Sequence, residues 1–365
     1  MPTYPRVKDK SLTRDPDATF APAGMQSTQY PMRRLAYVSA AQANGDSKHV
    51  RWLTFGSSVA DAKVREVGTL LAAQYGGGQA GVIFGSWSTS SGPAIGGVSV
   101  STVTTNATTG TLTAQTDAFD VWPSGLATKY TATGSRTYGV GGGSFTCDTI
   151  EIYYTVGPAS ATDGGTFSYQ VDSGATTNVD TSSGAPSLGI GRTVINPSIG
   201  AHTVTIAWVS GNVRIIGVGF IDSTRTGFIP ISVSQGGINL SSVSDLAFAN
   251  WQTFLGWVTP DVITFEMKDS QVDSGALPGT SGPYAFTKLR KWLDAINGAS
   301  TDNAGPDVIL IGSTPASNDT GQQLAVNQGL AALAKTYQPT TNVIAWGHRP
   351  QARGTRSSRH RSWSG

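Results

Sequence analysis

The first residues in the chain whose types and spacing could perform chemistry are Gly56, Ser57 and Ser58. They follow the strand-like run 51–55 and precede a stretch whose apolar residues recur at loosely helical spacing. A serine between a strand and a helix projects from the carboxyl edge of a sheet, where α/β folds bind ligands. The amino end of the following helix favours the negative charge that develops in acyl transfer. Ser58 is therefore a candidate nucleophile.

Three later segments also end in glycine or polar residues after an apolar run. The segment 232–239 contains a glycine pair, and 261–269 and 307–315 each begin with an aspartate that follows a proline. Such an aspartate before an apolar run is typical of the entrance to a buried parallel strand. Because the carboxyl ends of parallel strands meet at one edge of a sheet, we expect these segments to end beside Ser58.

The elements that must position these residues fall into two kinds. Helix-like spacing is present at 59–75 and returns at 243–257, 283–297 and 321–337. Between about 82 and 229 it is absent, and short β-branched or aromatic runs alternate with Gly, Asn, Asp and Ser. The pattern predicts an α/β domain interrupted by an antiparallel β-sandwich of jelly-roll type.

Two short polar segments of the middle region, 172–174 and 210–212, have the composition of hairpin turns. The clearest strand-like runs around them are 150–154, 166–171, 203–208 and 213–218.

In order and spacing, the segments around Ser58, 232–239, 261–269 and 307–315 resemble the blocks of the SGNH (GDSL-like) hydrolase family. They resemble most its phage-tail and carbohydrate-esterase members, which carry an inserted jelly-roll domain. The resemblance covers roughly 50–345. It implies a three-layer α/β/α domain with a parallel sheet, an inserted carbohydrate-binding-like domain, and ester hydrolysis without a cofactor or metal.

The resemblance assigns roles to the first two blocks. The Gly-Asp-Ser block matches Gly56, Ser57 and Ser58, so Ser58 is the nucleophile and Ser57 replaces the aspartate. The Ser58 N–H would also serve the oxyanion hole. The second-block glycine, another N–H donor, matches Gly236, with Gly237 as the alternative register.

The third block, Gly-x-Asn-Asp in the family, falls on 266–269. Asp269 keeps the family's aspartate, while Lys268 stands where the asparagine would stabilise the oxyanion. A lysine ammonium can donate a hydrogen bond there, but it is longer and charged.

The family's closing block, Asp-x-x-His, has no match. His348 lies near the expected end, but Ala345 occupies the position of the aspartate. His360 has no aspartate three residues before it, and His49 precedes the first strand as a second candidate base. His202 lies at a strand entrance within the insert, where we expect a structural role. Without a base, a serine hydroxyl is a weak nucleophile at neutral pH, so we expect a poor esterase or none.

Other residues carry weaker signals. Trp87, Trp122 and Trp208 could form a sugar-stacking platform, although a tryptophan in a β-sandwich more often belongs to its core. Asp163 and Asp172 lie in Asp-Gly-type turns that could ligate calcium but are usually only turns. The lone cysteine, Cys147, is expected to be a buried structural thiol, and a single cysteine excludes an internal disulfide framework and a multi-cysteine zinc site.

Composition limits the class of protein. Only 13% of the residues are charged, 38% are hydrophobic, and 45 are glycine. This balance argues against a disordered chain and against a mostly helical one. No apolar run approaches the roughly 20 residues needed to span a bilayer, and the amino-terminal residues lack the apolar core of a secretory signal.

Charge is concentrated at the two ends. Residues 1–35 carry a net charge of +3 and 349–365 carry +5, while 36–348 carry −6. The body of the chain is therefore not a nucleic-acid binder by charge. The tail lacks periodicity, and we expect it to be the end of a frameshifted or truncated gene that lost its Asp-x-x-His block.

The predicted organisation has four parts. They are a leader or linker at 1–49, a discontinuous hydrolase-like domain at 50–95 and 224–348, an inserted β-sandwich at 96–223 that we expect to be separable, and a basic tail at 349–365.

The leading interpretation is an esterase that removes acetyl or other acyl groups from a polysaccharide. The resemblance implies an acylated glycan as partner, a virion tail or extracellular location, and assembly as a homo-oligomer or within a tail, without nucleic acid or membrane. The alternatives are a non-catalytic glycan-binding or receptor-binding tail protein on a degenerate hydrolase scaffold, and a purely structural tail subunit.

Overall fold

A computed structural model gives the fold of the 365-residue chain. The residues that it describes are 25–26, 38, 40, 44, 49–56, 60, 66–67, 70, 82–84, 112–116, 126–130, 133–139, 146–157, 164–182, 189–224, 227–233, 248–266, 289–290, 292–296, 305–312, 322–337 and 343–346.

Sixteen strands and two helices are defined in this part of the chain. The strands are β1 Met25–Gln26, β2 His49–Gly56, β3 Val82–Phe84, β4 Leu112–Thr116, β5 Leu126–Tyr130, β6 Ser135–Gly139, β7 Thr149–Val156, β8 Gly165–Val171, β9 Thr176–Asp180, β10 Gly189–Ile195, β11 Thr203–Gly211, β12 Val213–Ile221, β13 Gly227–Ser232, β14 Val262–Glu266, β15 Asp307–Ile311 and β16 Val343–Trp346. The helices are α1 Phe248–Val258 and α2 Gln322–Tyr337, and residues 289–290 and 292–296 are also helical.

A parallel sheet forms the α/β part. Its strand order is β16-β15-β14-β2-β13-β3, and β1 pairs antiparallel with β16 at the outer edge. Both faces of the central strands are buried, which explains why their sequences read as nearly continuous apolar runs. On β2, Leu53 and Phe55 belong to a core shared with the helices, whereas Val50 belongs to a second cluster that includes the helical residue Val38.

Large aromatic side chains fill the first of these cores. The Phe55 ring lies 4.3 Å from the Trp292 ring and 6.4 Å from that of Trp251, measured between ring centroids. Phe55 is fully buried, and Trp251 on α1 and Trp292 each expose only a few per cent of their surface. The helices are therefore held on the sheet by burial of apolar area close to the carboxyl end of β2.

An antiparallel β-sandwich forms the other part. Strands β10, β7, β12, β5 and β4 contribute one sheet, and the second has the order β6-β11-β8-β9. Alternate side chains of the two sheets meet in a core that includes Phe167, Val204, Ile206 and Ile215. A parallel sheet joined to an antiparallel β-sandwich confirms the mixed α/β class predicted from the sequence, while the three-layer SGNH arrangement and the jelly-roll topology stay predictions.

The two parts share one continuous sheet. β3 pairs in parallel with β13 and antiparallel with β12, so twelve strands are joined by hydrogen bonds. Ala127, Tyr153, Ile216 and Ile221, all between 96 and 223, are buried in the same core as the α/β helices. The predicted domain boundaries stay a prediction, but the cores on either side of them are not independent.

The two predicted hairpin turns have different outcomes. Asp172 has a φ of 50°, the Gly174 N–H donates to the Val171 carbonyl, and the turn joins the paired strands β8 and β9. That hairpin is confirmed. The hairpin predicted at 210–212 is wrong, because β11 and β12 belong to different sheets. Gly211, with a φ of 68°, instead turns the chain from one sheet of the sandwich to the other.

The helix predicted at 59–75 is described at four positions, Ala60, Glu66, Val67 and Leu70, and all four are helical. Ala60 is buried, but Val67 and Leu70 are 38% and 67% exposed, so the apolar spacing at these two positions does not mark a core face. Neither described helix, nor the shorter helical stretches, is long and apolar enough to cross a membrane.

Candidate functional site

The carboxyl ends of the parallel strands form a single row. Gly56 is paired with Glu266, Glu266 with Ile311, and Ile311 with Trp346. On the other side of β2, the Val233 N–H donates to the Thr54 carbonyl at 2.9 Å, which brings the end of β13 to the same edge. The chain thus leaves β13, β2 and β14 side by side, and these are the three strands that precede the predicted family blocks.

Gly56 is closely packed at this edge. A β-carbon on Gly56 would lie 2.0 Å from the carbonyl oxygen of Glu266 and 2.8 Å from the β-carbon of Ala60. Its φ of 155° is also a conformation that other residues rarely adopt. The first residue of the predicted block is therefore a glycine because the end of β14 and the following helical residue approach it closely.

The predicted site residues themselves lie outside the described part of the chain. In the sequence, each follows the end of a parallel strand by at most five residues, as Ser58 follows Gly56 by two. Their roles therefore stay predictions. The residues concerned are Ser58, Gly236, the alternative Gly237, Lys268, Asp269 and His348.

The row of strand ends limits how His348 could act as the base. It follows Trp346, the last residue of β16, by two positions, and three strand spacings separate β16 from β2. At about 4.8 Å per spacing, Trp346 and Gly56 are about 14 Å apart. A His348–Ser58 contact therefore needs both short segments to turn toward each other across β15 and β14.

His49 lies at the wrong end of β2 to be the base. It is the first residue of the strand and Gly56 is the last, so the two α-carbons are about 23 Å apart at 3.3 Å per residue. Two further residues can extend the chain by at most about 7 Å, which leaves Ser58 beyond the reach of the His49 imidazole. Burial, followed by the charge of Arg51, lowers the pKa of His49, which favours a neutral ring.

His202 has the structural role that its position at a strand entrance predicts. Its Nδ1 lies 2.7 Å from the Asp172 carboxylate and its Nε2 lies 2.7 Å from the Ser198 carbonyl. Both partners are acceptors, so the ring satisfies both contacts only when it is protonated. Desolvation acts to lower the pKa of His202, but the hydrogen bonds to Asp172 and Ser198 outweigh it and raise the pKa.

Asp172 is occupied by the same contacts. Besides His202, it accepts hydrogen bonds from the backbone N–H and the hydroxyl of Thr203. Calcium ligation by this turn has no support in the geometry, and the other candidate turn, at Asp163, lies outside the described residues. Among the residues that the structure describes, no group of three or more His, Cys, Asp or Glu side chains is arranged to hold a metal ion.

Cys147 is a buried structural thiol, as predicted. Its side chain is fully inaccessible in the sandwich core. Burial, with the carboxylates of Asp148, Asp222 and Asp172, raises the pKa of Cys147 to about 12. A thiol with this pKa is protonated at neutral pH and is not a nucleophile.

Of the three predicted stacking tryptophans, one is described. Trp208 packs against the sandwich core, and its indole N–H donates to the Gly211 carbonyl at 2.8 Å. Trp208 is thus partly buried against the core, and its indole N–H already has a partner. Trp87 and Trp122 lie outside the described residues.

A charged cluster that the sequence interpretation missed lies where the sandwich meets α1. The Arg192 guanidinium on β10 is 3.3 Å from the Glu151 carboxylate on β7 and 3.3 Å from the Trp257 carbonyl on α1. The Tyr153 hydroxyl donates to the other Glu151 oxygen. The available signal was a glutamate in an otherwise apolar strand, since a buried carboxylate needs a partner, but no spacing rule identifies Arg192 as that partner.

Comparison with known proteins finds similarity in structure only. No family model and no curated protein sequence matches this chain. A solved peptidoglycan O-acetylesterase is 15% identical, with a TM-score of 0.59, and the match covers 87% of this chain and 82% of that one. A family two carbohydrate esterase from Cellvibrio japonicus is 10% identical over 67% of this chain and 91% of that one, with a TM-score of 0.25.

A CBM35 from Cellvibrio japonicus Abf62 is 8% identical over 39% of this chain and 93% of that one, also with a TM-score of 0.25. Scores this low carry no argument about either part. The similarity to the peptidoglycan O-acetylesterase, at 15% identity, shows the fold alone. The parallel sheet and the β-sandwich together are similar to that enzyme over most of both chains.

Proposed function

We propose that the chain is a serine esterase of the SGNH type that removes acyl groups, acetyl above all, from a polysaccharide. One observation carries the proposal. Gly56 packs against Glu266 at the carboxyl end of the central strand, so the Gly-Ser-Ser block begins at the edge where α/β folds place their chemistry. The fold that it shares with a peptidoglycan O-acetylesterase supports an ester of a glycan as the substrate.

In the proposed reaction, the Ser58 hydroxyl attacks the carbonyl carbon of the ester. The hydroxyl proton passes to a base, and the N–H groups of Ser58 and Gly236 hold the oxyanion of the tetrahedral intermediate. Lys268 supplies the third donor in place of asparagine. The C–O bond to the sugar then breaks, the sugar oxygen takes a proton, and water hydrolyses the acyl-serine to a free carboxylic acid.

The base is the element with the least support. In the proposed site His348 is the candidate, and Asp269 belongs to the third block beside Lys268. Ala345, which stands where the family has an aspartate, is within β16 and gives His348 no carboxylate to orient it. Loss of the triad aspartate alone typically costs a factor of about 10⁴ to 10⁵ in kcat, and loss of the base a factor on the order of 10⁶, so we expect slow turnover at best.

The test is covalent labelling of the intact chain with a fluorophosphonate, which requires an activated serine hydroxyl. Stoichiometric labelling that Ser58→Ala abolishes would support the esterase, and loss of labelling in His348→Ala would identify the base. Ser173→Ala, at an exposed serine in the β8–β9 turn, is the matched control. Absence of labelling, together with no turnover of p-nitrophenyl acetate above Ser58→Ala, would refute the catalytic proposal.

A non-catalytic glycan-binding protein is the second candidate, favoured by the position of Ala345 in a strand rather than in an Asp-x-x-His block. Binding on a glycan array without esterase activity would support it. If the chain shows neither glycan binding nor esterase turnover, the third candidate, a structural tail subunit, remains.

A virion tail or extracellular location and assembly as a homo-oligomer belong to the same proposal. Light scattering of the purified chain tests the oligomer, and immunoblotting of purified virions against culture supernatant tests the location.

A further inference from the structure

Helix α1 contacts both parts of the molecule. In its first turn, Trp251 packs edge-on against Phe55 of β2, with 6.4 Å between ring centroids. In its later turns, Phe254 and Trp257 lie 6.5 Å and 6.2 Å from the ring of Tyr153, which belongs to β7 of the sandwich. The helix therefore connects the residue that precedes Gly56 with a face of the sandwich.

The carboxyl end of α1 is held by a cation from the sandwich. The last carbonyls of a helix have no partner within it and form its negative pole, so a guanidinium is stabilising there. Arg192 donates to the Trp257 carbonyl at 3.3 Å, and its guanidinium carbon lies 5.5 Å from the centre of the Trp257 ring. Arg51 of β2 caps the next carbonyl, that of Val258, at 3.0 Å.

Buried contacts fix Arg192 in this position. Arg192 is the register partner of Tyr153, and Glu151 lies two residues from Tyr153 on the same face of β7. The Glu151 side chain is 7% exposed, pairs with Arg192 at 3.3 Å, and accepts a hydrogen bond from the Tyr153 hydroxyl. Removal of one member of a buried ion pair leaves the other charge uncompensated, so the arrangement resists distortion.

We propose that Arg192 is a positioning residue by which the β-sandwich holds α1 and, through the Trp251–Phe55 contact, the carboxyl end of β2 at Gly56. The sandwich is then part of the framework of the edge at which the proposed chemistry occurs, and not only a glycan-binding module. The structural half of this inference is independent of the proposed function, whereas its consequence for catalysis rests on that function.

Hydrogen–deuterium exchange of the intact chain tests the structural half. Arg192→Met should raise exchange about tenfold or more in α1 and at the end of β2, because local opening of the helix becomes easier. Amides of β8 and β11, on the far sheet of the sandwich, should keep their wild-type rates. Arg290→Met is the matched control, since Arg290 is 62% exposed and forms an ion pair with Asp294 four residues along its own helical stretch.

Two outcomes would overturn the inference. One is unchanged exchange in α1 in a folded Arg192→Met protein, and the other is an equal rise in every strand, which would indicate general destabilisation. Should Arg192→Met not fold, Arg192→Lys replaces it. Lysine keeps the charge beside Glu151 but lacks the planar fork that reaches the Trp257 carbonyl at the same time, so α1 should still exchange faster.

The catalytic half is read from the rate of Ser58 labelling. If the wild-type chain labels, the rate of Ser58 labelling should be at least about tenfold lower in Arg192→Met, while Arg290→Met labels at the wild-type rate. Equal labelling of wild type and Arg192→Met would refute the catalytic half. If the wild-type chain neither labels nor turns over p-nitrophenyl acetate faster than Ser58→Ala, the proposed esterase fails, and the exchange measurement still decides the structural half.

Discussion

Gly56 and Glu266 are register partners in adjacent parallel strands, and their backbones approach so closely that a β-carbon on Gly56 would lie 2.0 Å from the Glu266 carbonyl oxygen. The contact joins the ends of β2 and β14, which precede the first and third predicted blocks. It therefore joins the predicted nucleophile block to the predicted oxyanion block through backbone packing.

Gly56→Ala should destabilise the protein by about 3 kcal/mol, from backbone strain at positive φ combined with overpacking. Urea unfolding measures the loss. The matched control is Gly256→Ala on α1, where a β-carbon would meet nothing within 4 Å, and which should stabilise the helix by about 0.5–1 kcal/mol. Equal stability of Gly56→Ala and wild type would show that the two strands can separate without cost.

Much of the sheet was predictable because burial on both faces leaves a strong local signal. The runs 51–55, 262–265 and 308–311 lie in β2, β14 and β15, and residues 229–232 lie in β13; each consists mainly of apolar residues. In a parallel sheet all carboxyl ends lie at one edge, so the ends of β13, β2 and β14 lie side by side as expected.

Contacts between distant segments were not predictable. The turn at 210–212 has hairpin composition, but composition does not state which sheet the next strand joins. Glu151 and Arg192 are 41 residues apart and pair because β7 and β10 are neighbours, a relation that no periodicity reveals. Val67 and Leu70 fit a helical spacing yet are exposed, since periodicity does not show whether another element covers that face.

The His202–Asp172 pair should make stability fall at mildly alkaline pH. The pKa of His202 is raised in the folded chain, so its contribution is complete below the unfolded value of about 6.5 and is lost as pH rises through the folded value. Urea unfolding between about pH 5.5 and 8.5 should show wild type losing its advantage over His202→Gln as pH rises. A constant difference between the two proteins over this range would contradict the assignment.

The same pair should weaken in acid. Desolvation acts to raise the pKa of Asp172, but hydrogen bonds from His202 and Thr203 lower it overall. A lowered carboxyl pKa contributes stability above the ordinary value of 3.8, and the contribution is lost as pH falls through the folded value. Asp172→Asn should therefore differ least from wild type at the acid end of an unfolding series, and a difference that grows toward low pH would refute this.

Cys147 should report on opening of the sandwich. With a pKa of about 12 and no accessible surface, only about one thiol in 10,000 would be ionised at pH 8 even if a reagent could reach it. Iodoacetamide should therefore modify native protein far more slowly than protein in urea. Because the chain has a single cysteine, mass spectrometry reads the result directly. Rapid modification of the native chain would show that the sandwich core is not closed.

Excision of the β-sandwich should unfold the α/β part, although the sequence pattern alone predicts that a chain joining 50–95 to 224–345 keeps its helical signal. Removal of 96–223 exposes the face of α1 that packs on Tyr153, deletes Ile216 and Ile221 from the shared core, and leaves β3 without β12. It also removes Arg192 from the end of α1. Circular dichroism of the excised chain should show little cooperative melting. A cooperative transition with the helical signal intact would mean that the α/β core is sufficient by itself and that the sandwich is a separable module.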